Sequence, residues 1–299
     1  MALLNPPQTL PHAIRVVVEA IHSSKDPQSP EDLARLLFPA SAELVSGDKR
    51  LTTISMAKVL GFVGTDPAVG SLSITERGQN AIKNAKSKGW ESILRDATLE
   101  VAPAELSFQR HGESDDAWTM GSRDFLRAVT WFLAQSAYGP EYTWNRVQYL
   151  QQDQFGGDRE DWPIMNDTRY GAFRRWILAT GLASEWPNGL RPIPINAVRD
   201  TLPMISIRSS SRDFIQELSR LLPFLWGGTY REGLLRRIGS DPDPDVVASG
   251  IDSGVAITLL ALEAEGAIYL EDLADATRKL VLCPSAQGKI TVSHVGVNK

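Results

Sequence analysis

The chain has 299 residues, of which 42% are hydrophobic and 22% are charged, and its formal net charge is −5. These values are typical of a protein with a buried core, and they exclude a uniformly basic nucleic-acid-binding protein. The chain has no apolar run of the roughly 18 residues that cross a bilayer, no recognisable signal peptide and a single cysteine, Cys283. We therefore expect a cytoplasmic protein without membrane contact.

The first 88 residues predict three helices and a β-hairpin. Apolar residues recur at helical spacing after Pro11, a second helix begins after Ser29 as its N-cap, and a third helix ends at Gly61. Two short strands joined by a turn follow, and Thr75 is the predicted cap of the next helix. This order of elements is that of a winged helix-turn-helix domain.

A short motif supports this interpretation. The stretch LGFV…SLSITERGQNAI, residues 60–82, resembles the end of a winged-helix domain. In that family a Leu-Gly pair closes the recognition helix, and a Leu-x-Ile/Leu-Thr-x-x-Gly motif closes the hairpin called the wing. The resemblance covers roughly the first 85 residues and implies a fold that binds either DNA or protein.

The same order of elements returns twice along the chain. A second set ends in a hairpin after Gly181, with Ser122 and Thr143 as predicted caps, and a third ends in strands after Gly266. In the third set, the strand at residues 267–270 is expected to pair with the strand at 278–282. The predicted fold class is therefore mainly α with small β-hairpins, arranged as tandem winged-helix units. The predicted domains are winged helix 1 (1–88), a linker (89–117), winged helix 2 (118–208) and a C-terminal winged-helix-like domain for protein contacts (209–299).

Catalytic motifs are missing from the sequence. It contains no phosphate-binding loop, no dinucleotide-binding glycine motif and no His-Glu-x-x-His zinc motif. The histidines are scattered without metal-binding spacing, and Cys283 lies at the end of an apolar strand, where a thiol is inert. We therefore predict that the protein is not an enzyme and needs no metal or cofactor.

Candidate DNA-binding residues lie on the predicted recognition helices. In the first domain, the face opposite the apolar residues Leu51, Ile54, Ala57 and Leu60 carries hydroxyl and basic side chains. These are Lys49, Thr52, Ser55 and Lys58, with Arg50 beside them. Hydroxyl groups reach base edges or phosphates, and cations neutralise phosphates. The helix behind the wing adds Arg77, Lys83, Lys86 and Lys88; for all of these residues, ordinary solvated charge is the alternative.

The second and third domains differ in charge. In the second, Phe173 and Ile177 are expected to face inward, which leaves outside the residues Thr168, Arg169, Arg174 and Arg175. Trp186 at the second wing tip is a candidate for an exposed stacking residue. The corresponding third helix carries no cation, and Ser253, Glu263 and Glu265 are expected on its exposed face. We expect this helix to be repelled by phosphate and to contact protein, or to be buried in its own domain.

Two further stretches, MALLNPPQTLP and LLPFLWGGTYR, resemble the accessory protein of bacterial islands that place 7-deazaguanine derivatives in DNA, the Dpd system. This resemblance implies a role in DNA modification, restriction or phage defence. The predicted partners are double-stranded DNA, the other protein subunits of a multi-component system, and a second copy of the chain in a homo-oligomer. The alternatives are a winged-helix protein-docking scaffold without DNA binding and a ligand-sensing transcription regulator.

Overall fold

The protein is mainly helical, with small antiparallel strand pairs, as the sequence predicts. The computed structural model describes residues 2–24, 26–37, 47–110, 118–244, 246–276, 279–282 and 290–298, with the backbone alone at 47–50, 247 and 248. Cys283 and His111 lie outside the described residues. Within the part that the structure describes, every helix is too short or too polar to span a bilayer.

The helices and strands follow one another in chain order. The helices are α1 (Pro11–Ser23), α2 (Pro30–Leu37), α3 (Gly47–Val59), α4 (Glu76–Thr98), α5 (Arg123–Leu133), α6 (Trp144–Phe155), α7 (Asp167–Ala179), α8 (Ile195–Thr201), α9 (Ser211–Leu221), α10 (Thr229–Ile238), α11 (Val246–Ser249) and α12 (Ser253–Ala264). The strands are β1 (Val63–Thr65), β2 (Leu72–Ile74), β3 (Ser184–Trp186), β4 (Gly189–Arg191), β5 (Arg208–Ser210), β6 (Ile268–Glu271), β7 (Leu280–Leu282), β8 (Ile290–Val292) and β9 (His294–Val297).

Packing divides the chain into two compact units. Unit 1 comprises Met1–Val101, Gly112–Phe125 and Asp167–Thr180. Unit 2 comprises Ala102–His111, Leu126–Asn166 and Gly181–Lys299. This division follows contacts between distant segments and is not the division into domains that the sequence suggests, which stays a prediction.

The core of unit 1 forms around α1. Its buried residues Ile14, Val17 and Val18 lie on one face at helical spacing, and α1 contacts α3, α4 and β2 as well as α7. Antiparallel pairing of β1 with β2 aligns Val63 with Ile74. Unit 1 therefore contains the predicted three helices followed by a hairpin.

The turn between α3 and the hairpin explains the motif at residues 60–82. Gly61 has φ +73°, a left-handed conformation that ends α3. The Thr75 hydroxyl donates to the Gly61 carbonyl at 2.6 Å and accepts from the Gly78 N–H at 3.0 Å. A Cβ on Gly78 would lie 2.2 Å from the Phe62 carbonyl oxygen. The threonine thus caps α4, and the glycine allows α4 to approach the end of α3 closely.

Residues 89–98, which the sequence suggests are part of a linker, are the second half of α4. The helix kinks at Gly89, where φ is +75°, and then continues to Thr98 with Ile93, Leu94 and Ala97 buried. This apolar face is what the linker prediction missed. The part of that prediction at residues 111–117 lies outside the described residues.

The N-terminal segment ties α7 into unit 1. The Asp124 carboxylate accepts from the Leu3 and Leu4 N–H groups at 3.2 and 2.7 Å, and the Thr9 hydroxyl accepts from the Trp176 indole N–H at 2.9 Å. The Trp176 ring also lies 6.0 Å from the Phe125 ring. The stretch MALLNPPQTLP is therefore a packing element.

Unit 2 contains the second predicted hairpin. Gly181 has φ +66°, and β3 pairs with β4 so that Trp186 lies opposite Gly189. The Tyr142 N–H donates to the Leu190 carbonyl at 2.9 Å, which holds the hairpin against the start of α6. The predicted cap Thr143 accepts from the Arg146 N–H at 3.5 Å. Both predicted features of this hairpin, the glycine and the strand pair, are confirmed.

The strand pairing predicted for the C-terminal region is wrong. β6 pairs with β9, with Ile268 opposite Val297, and β9 also pairs with β5, so these strands form a three-stranded antiparallel sheet. β7 pairs with β8 instead. The stretch 272–279, which separates β6 from β7 in the sequence, is too long for a tight hairpin turn. The last strand therefore takes the central position in the sheet.

Helix α12 is buried within unit 2. Ser253, which the sequence places on an exposed face, is 2% exposed, and its hydroxyl accepts from the Ala137 N–H at 2.7 Å. Glu263 and Glu265 are exposed as predicted, and Glu265 pairs with Arg199 at 2.6 Å. The apolar excess of this helix therefore serves the core of its own unit, which is the second of the two predicted alternatives.

A buried charge cluster lies beside α12. Arg231 is fully buried, and its guanidinium contacts Asp241 at 2.7 Å and Asp252 at 3.2 Å. Asp252 also accepts from the Trp226 N–H at 2.7 Å. Asp243 accepts from the Ser253 N–H at 2.9 Å. Burial raises the pKa of Asp252 to about 6, because Arg231 offsets only part of the loss of hydration.

This raised pKa predicts a pH dependence of stability. The folded protein binds a proton at Asp252 before the unfolded chain does, so the free energy of unfolding should rise as the pH falls from about 6 towards 3.8. A shift of this size is worth up to about 3 kcal/mol. Urea midpoints of the wild type and Asp252→Asn at pH 7 and pH 5 measure it. The wild type should gain stability relative to the variant at pH 5, and parallel changes in the two proteins would contradict the assignment.

Candidate nucleic-acid interface

Helix α3 presents a different face from the one that the sequence suggests. Thr52 is 8% exposed and Leu51 is 37% exposed, the reverse of the predicted arrangement. The helix packs against α1 on one side and α2 on another, so its buried surface is wider than an apolar stripe. Thr52 is engaged within the protein. The prediction that Thr52 lies on the exposed face of α3, where it could contact a DNA groove, is therefore wrong.

The outer face of α3 carries Ser55 and Lys58, both half-buried, between the exposed Leu51 and Val59. Neither polar side chain forms a hydrogen bond or ion pair with the rest of the described chain. The side chains of Lys49 and Arg50 lie outside the described residues, although their backbone belongs to the first turn of α3. These two remain predictions.

The first half of α4 carries exposed lysines. Lys83 and Lys86 are exposed, lie three positions apart on one face of the helix, and make no hydrogen bond or ion pair within the described residues. Lys88 lies 3.8 Å from Asp96, and both side chains are more than half exposed. An exposed ion pair at this distance contributes little to the stability of the fold. Lys58, Lys83 and Lys86 are thus cations without an ion-pair partner within the described part of unit 1.

Arg77 is used within unit 1. Its guanidinium forms a two-point ion pair with Glu100 and lies 5.7 Å from the centre of the Phe62 ring. The side chain is 30% exposed. Arg77 therefore links the two ends of α4 and covers the start of the hairpin, and contact with a phosphate requires it to leave Glu100.

The tip of the first hairpin adds no positive charge. Residues 66–70 carry Asp66 and Val69, and Val69 is 73% exposed. An acidic and apolar tip is unsuited to phosphate contact and suited to a protein surface. In the candidate interface of unit 1, the described positive charge therefore lies on helices and not on the hairpin tip.

The arginines of α7 are engaged within the protein. Arg175, predicted to face outward, is half-buried, and its guanidinium donates to the carbonyls of Pro7 and Thr9. Burial lowers the pKa of Arg175 below its ordinary value. Arg169 is half-buried and Arg174 is exposed, and each has a partner within the chain. The predicted outward face of this helix is wrong at Arg175, because the N-terminal segment covers it.

The second hairpin carries the exposed tryptophan that the sequence suggests. Trp186 is 42% exposed, and the Arg191 guanidinium lies 4.3 Å from the centre of its ring. Arg191 also donates to the Ala137 carbonyl at 3.1 Å. The hairpin therefore presents a fixed aromatic surface with one cation stacked on it.

Sequence reasoning missed the buried Arg231 cluster. In the acidic loop that follows α10, the Asp241 carboxylate accepts from Arg231 and the Asp243 carboxylate accepts from the Ser253 N–H. The available signal was an arginine in the apolar stretch LLPFLWGGTYR followed closely by alternating aspartates. Among the described residues, no group of three His, Cys, Asp or Glu side chains is placed to hold a metal ion.

These features define a mainly helical protein of two compact units, with exposed lysines on the helix–hairpin unit 1 and an exposed tryptophan on a hairpin of unit 2. The chain belongs to the DpdG-like family, whose model matches residues 1–276. The family match confirms the resemblance to a Dpd-island accessory protein and indicates involvement in the Dpd DNA-modification system, which implies other protein subunits. No curated protein and no solved structure matches the chain.

Proposed function

We propose that the protein is a non-catalytic DNA-binding subunit of the bacterial Dpd modification system, with a role in restriction or phage defence. One observation supports the proposal: the β1–β2 hairpin follows α3 directly in the chain, at a junction formed by Gly61 and Thr75. The chain that contains it belongs to the DpdG-like family. Three helices followed by such a hairpin form a winged helix, and α3 is then the helix that enters the major groove.

The second winged helix, residues 118–208, is proposed from the sequence pattern alone, since α7 belongs to unit 1 and the β3–β4 hairpin to unit 2. Its recognition helix would be α7, where Arg174 is the exposed cation. Because Arg175 is engaged with the N-terminal segment, we assign the main DNA contact to the first winged helix. There the contacts are proposed for Lys49, Arg50, Ser55 and Lys58.

Binding would come chiefly from counterion release. A lysine beside a phosphate displaces condensed cations from the duplex, and this contribution does not depend on base sequence. Lys58 lies in the last turn of α3, and Lys83 and Lys86 extend the positive charge along α4. Ser55 is short enough to let the backbone of α3 approach base edges.

Duplex binding at two salt concentrations tests the proposal. Fluorescence anisotropy with a short labelled duplex should show an affinity that falls steeply as salt rises. Lys83→Glu/Lys86→Glu should weaken binding about tenfold or more. It should also reduce the slope of log K against log salt concentration by about two, because roughly one counterion is released per phosphate contact. Adding Lys58→Glu should weaken binding further.

The matched control is Arg220→Glu/Arg236→Glu, which reverses two exposed charges in unit 2. This control should keep most of the affinity. Equal losses in both variants would mean that only net charge matters and would reject a defined site on unit 1. Replacing Lys49, Arg50 and Lys58 with Glu tests α3 alone, and unchanged affinity in that variant would exclude it as the recognition helix.

The alternative function is protein docking by the same winged helix. The specific observation in its favour is the first hairpin tip, where Val69 is 73% exposed beside Asp66. A duplex affinity that is absent or independent of salt would favour this function. Val69→Glu should then weaken association with another Dpd subunit and leave folding unchanged.

A further inference from the structure

Unit 2 contains an open pocket of about 450 Å³ that the proposed DNA contacts do not use. Helix α9 contributes Arg212, Ile215, Gln216 and Ser219 to the lining, and Trp226, Lys279 and Leu280 line it from other segments. Small-molecule sites usually measure about 300–1,000 Å³ and are lined mainly by apolar and aromatic groups with a few polar ones. The pocket has both properties.

The wall at Trp226 is held in place by the buried charge cluster. The backbone N–H of Trp226 donates to the Asp252 carboxylate at 2.7 Å, and this carboxylate in turn contacts the Arg231 guanidinium at 3.2 Å. Two residues further on, a Cβ on Gly228 would lie 2.3 Å from the Pro223 carbonyl oxygen, so the loop packs closely on itself. A wall fixed in this way loses little entropy when a ligand binds.

The charges around the pocket favour an anion. Arg212 is exposed, and its guanidinium makes no hydrogen bond or ion pair with the described part of the chain. Lys279 at the rim is paired with Asp272 at 2.5 Å, so its charge is offset. The neighbouring Asp213 is bound to the Ser210 hydroxyl at 2.7 Å. A guanidinium without a carboxylate partner, beside an aromatic wall, suits a phosphate attached to a planar ring.

We propose that this pocket binds a mononucleotide, with the base between Trp226, Ile215 and Leu280 and the phosphate on Arg212. The base would bury the apolar lining, and the guanidinium would bind two phosphate oxygens. The pocket lies wholly within unit 2, whereas the proposed recognition helix lies in unit 1. The proposal therefore stands or falls independently of duplex binding.

Calorimetry on the full chain tests the proposal with nucleoside 5′-monophosphates, the matching nucleosides and inorganic phosphate. At least one monophosphate should bind about tenfold or more tightly than its nucleoside, since a hydrogen bond to a charged group supplies that factor. It should also bind more tightly than inorganic phosphate. Equal binding of nucleoside and monophosphate, or no binding of any monophosphate, would overturn the proposal.

Two variants on the same helix locate the phosphate. Arg212→Glu should lower monophosphate affinity about tenfold or more, whereas Arg220→Glu, an exposed residue of α9 outside the lining, should not. Gln216→Trp, which fills the pocket from an exposed position, should abolish binding at an unchanged melting temperature. Monophosphate affinity that is unchanged in Arg212→Glu or Gln216→Trp would reject this pocket.

A short single-stranded oligonucleotide in competition with the monophosphate identifies the source of the ligand. Competition would assign the pocket to a nucleotide within a DNA strand, and failure to compete would assign it to a free nucleotide. Either outcome is interpreted only after calorimetry has shown that the monophosphate binds more tightly than its nucleoside and than inorganic phosphate. Duplex affinity should be unchanged in Arg212→Glu in either case.

Discussion

Replacing Arg231 with methionine is expected to lower the free energy of unfolding by about 3–5 kcal/mol. Arg231 is fully buried and contacts two buried carboxylates, Asp241 and Asp252. Methionine fills part of the space but leaves both carboxylates without their cation. An uncompensated buried charge is far more unfavourable than the loss of an exposed ion pair.

Urea and thermal denaturation at pH 7 measure this loss. The matched control is Arg236→Met on the same helix, where the side chain is exposed and the effect should stay within about 0.5 kcal/mol. At pH 5 the deficit of Arg231→Met should shrink, because Asp252 takes up a proton more readily than an ordinary carboxyl group.

A triple variant separates charge from packing. Arg231→Met/Asp241→Asn/Asp252→Asn removes the carboxylates together with their cation, while the amide oxygen that replaces the Asp252 carboxylate can still accept from the Trp226 N–H. It should be more stable than Arg231→Met alone, because the two carboxylates that contact Arg231 are no longer left buried without their cation. If the triple variant is the less stable protein, the cluster acts through shape rather than charge.

Gly78→Ala is expected to destabilise the protein by about 1–3 kcal/mol. The new Cβ would lie 2.2 Å from the Phe62 carbonyl oxygen and 2.7 Å from a side-chain carbon of Ile74, so α4 must move away from the hairpin. The movement would also loosen the Thr75 cap. Denaturation by urea measures the loss, and the duplex assay reports whether hairpin position matters for binding.

Gly171→Ala in α7 is the matched control. It makes the same chemical change inside a helix, but the nearest atom to its new Cβ is 3.8 Å away. Alanine should therefore stabilise the protein by about 0.5–1 kcal/mol through helix propensity. A Gly78→Ala protein as stable as Gly171→Ala would show that α4 and the hairpin do not pack as closely as described.

The two stretches that resemble the Dpd accessory protein have structural roles. The first, residues 1–11, contributes Thr9, which binds Trp176 in unit 1. The second, residues 221–231, contributes Trp226 to the pocket wall and Arg231 to the buried cluster. Their residue types are thus explained by packing and by the pocket, neither of which a local pattern reveals.

Sequence patterns predicted the parts of the fold that depend on neighbouring residues. The caps at Ser29, Thr75 and Thr143, and the left-handed glycines Gly61 and Gly181, are all as expected. Each depends on a hydrogen bond or a steric restriction within three or four residues. The mainly helical class and the first two hairpins follow from these signals.

The faces of the helices were harder to predict. Thr52 and Leu51 exchange places because α3 has packing partners on two sides, and Arg175 is covered by a segment more than 160 residues away in the chain. Helical periodicity locates an apolar stripe but does not reveal which further side another segment will cover.

The order of residues was enough to specify most helices, their caps, the first two hairpins and the family of this protein. Tertiary packing was needed to establish that β6 pairs with β9, that the acidic loop turns inward to Arg231, and that Trp226 and Arg212 line one pocket. The physical reason is range: capping and turn formation act over a few residues. Strand pairing and charge burial, in contrast, depend on which distant surfaces exclude water together.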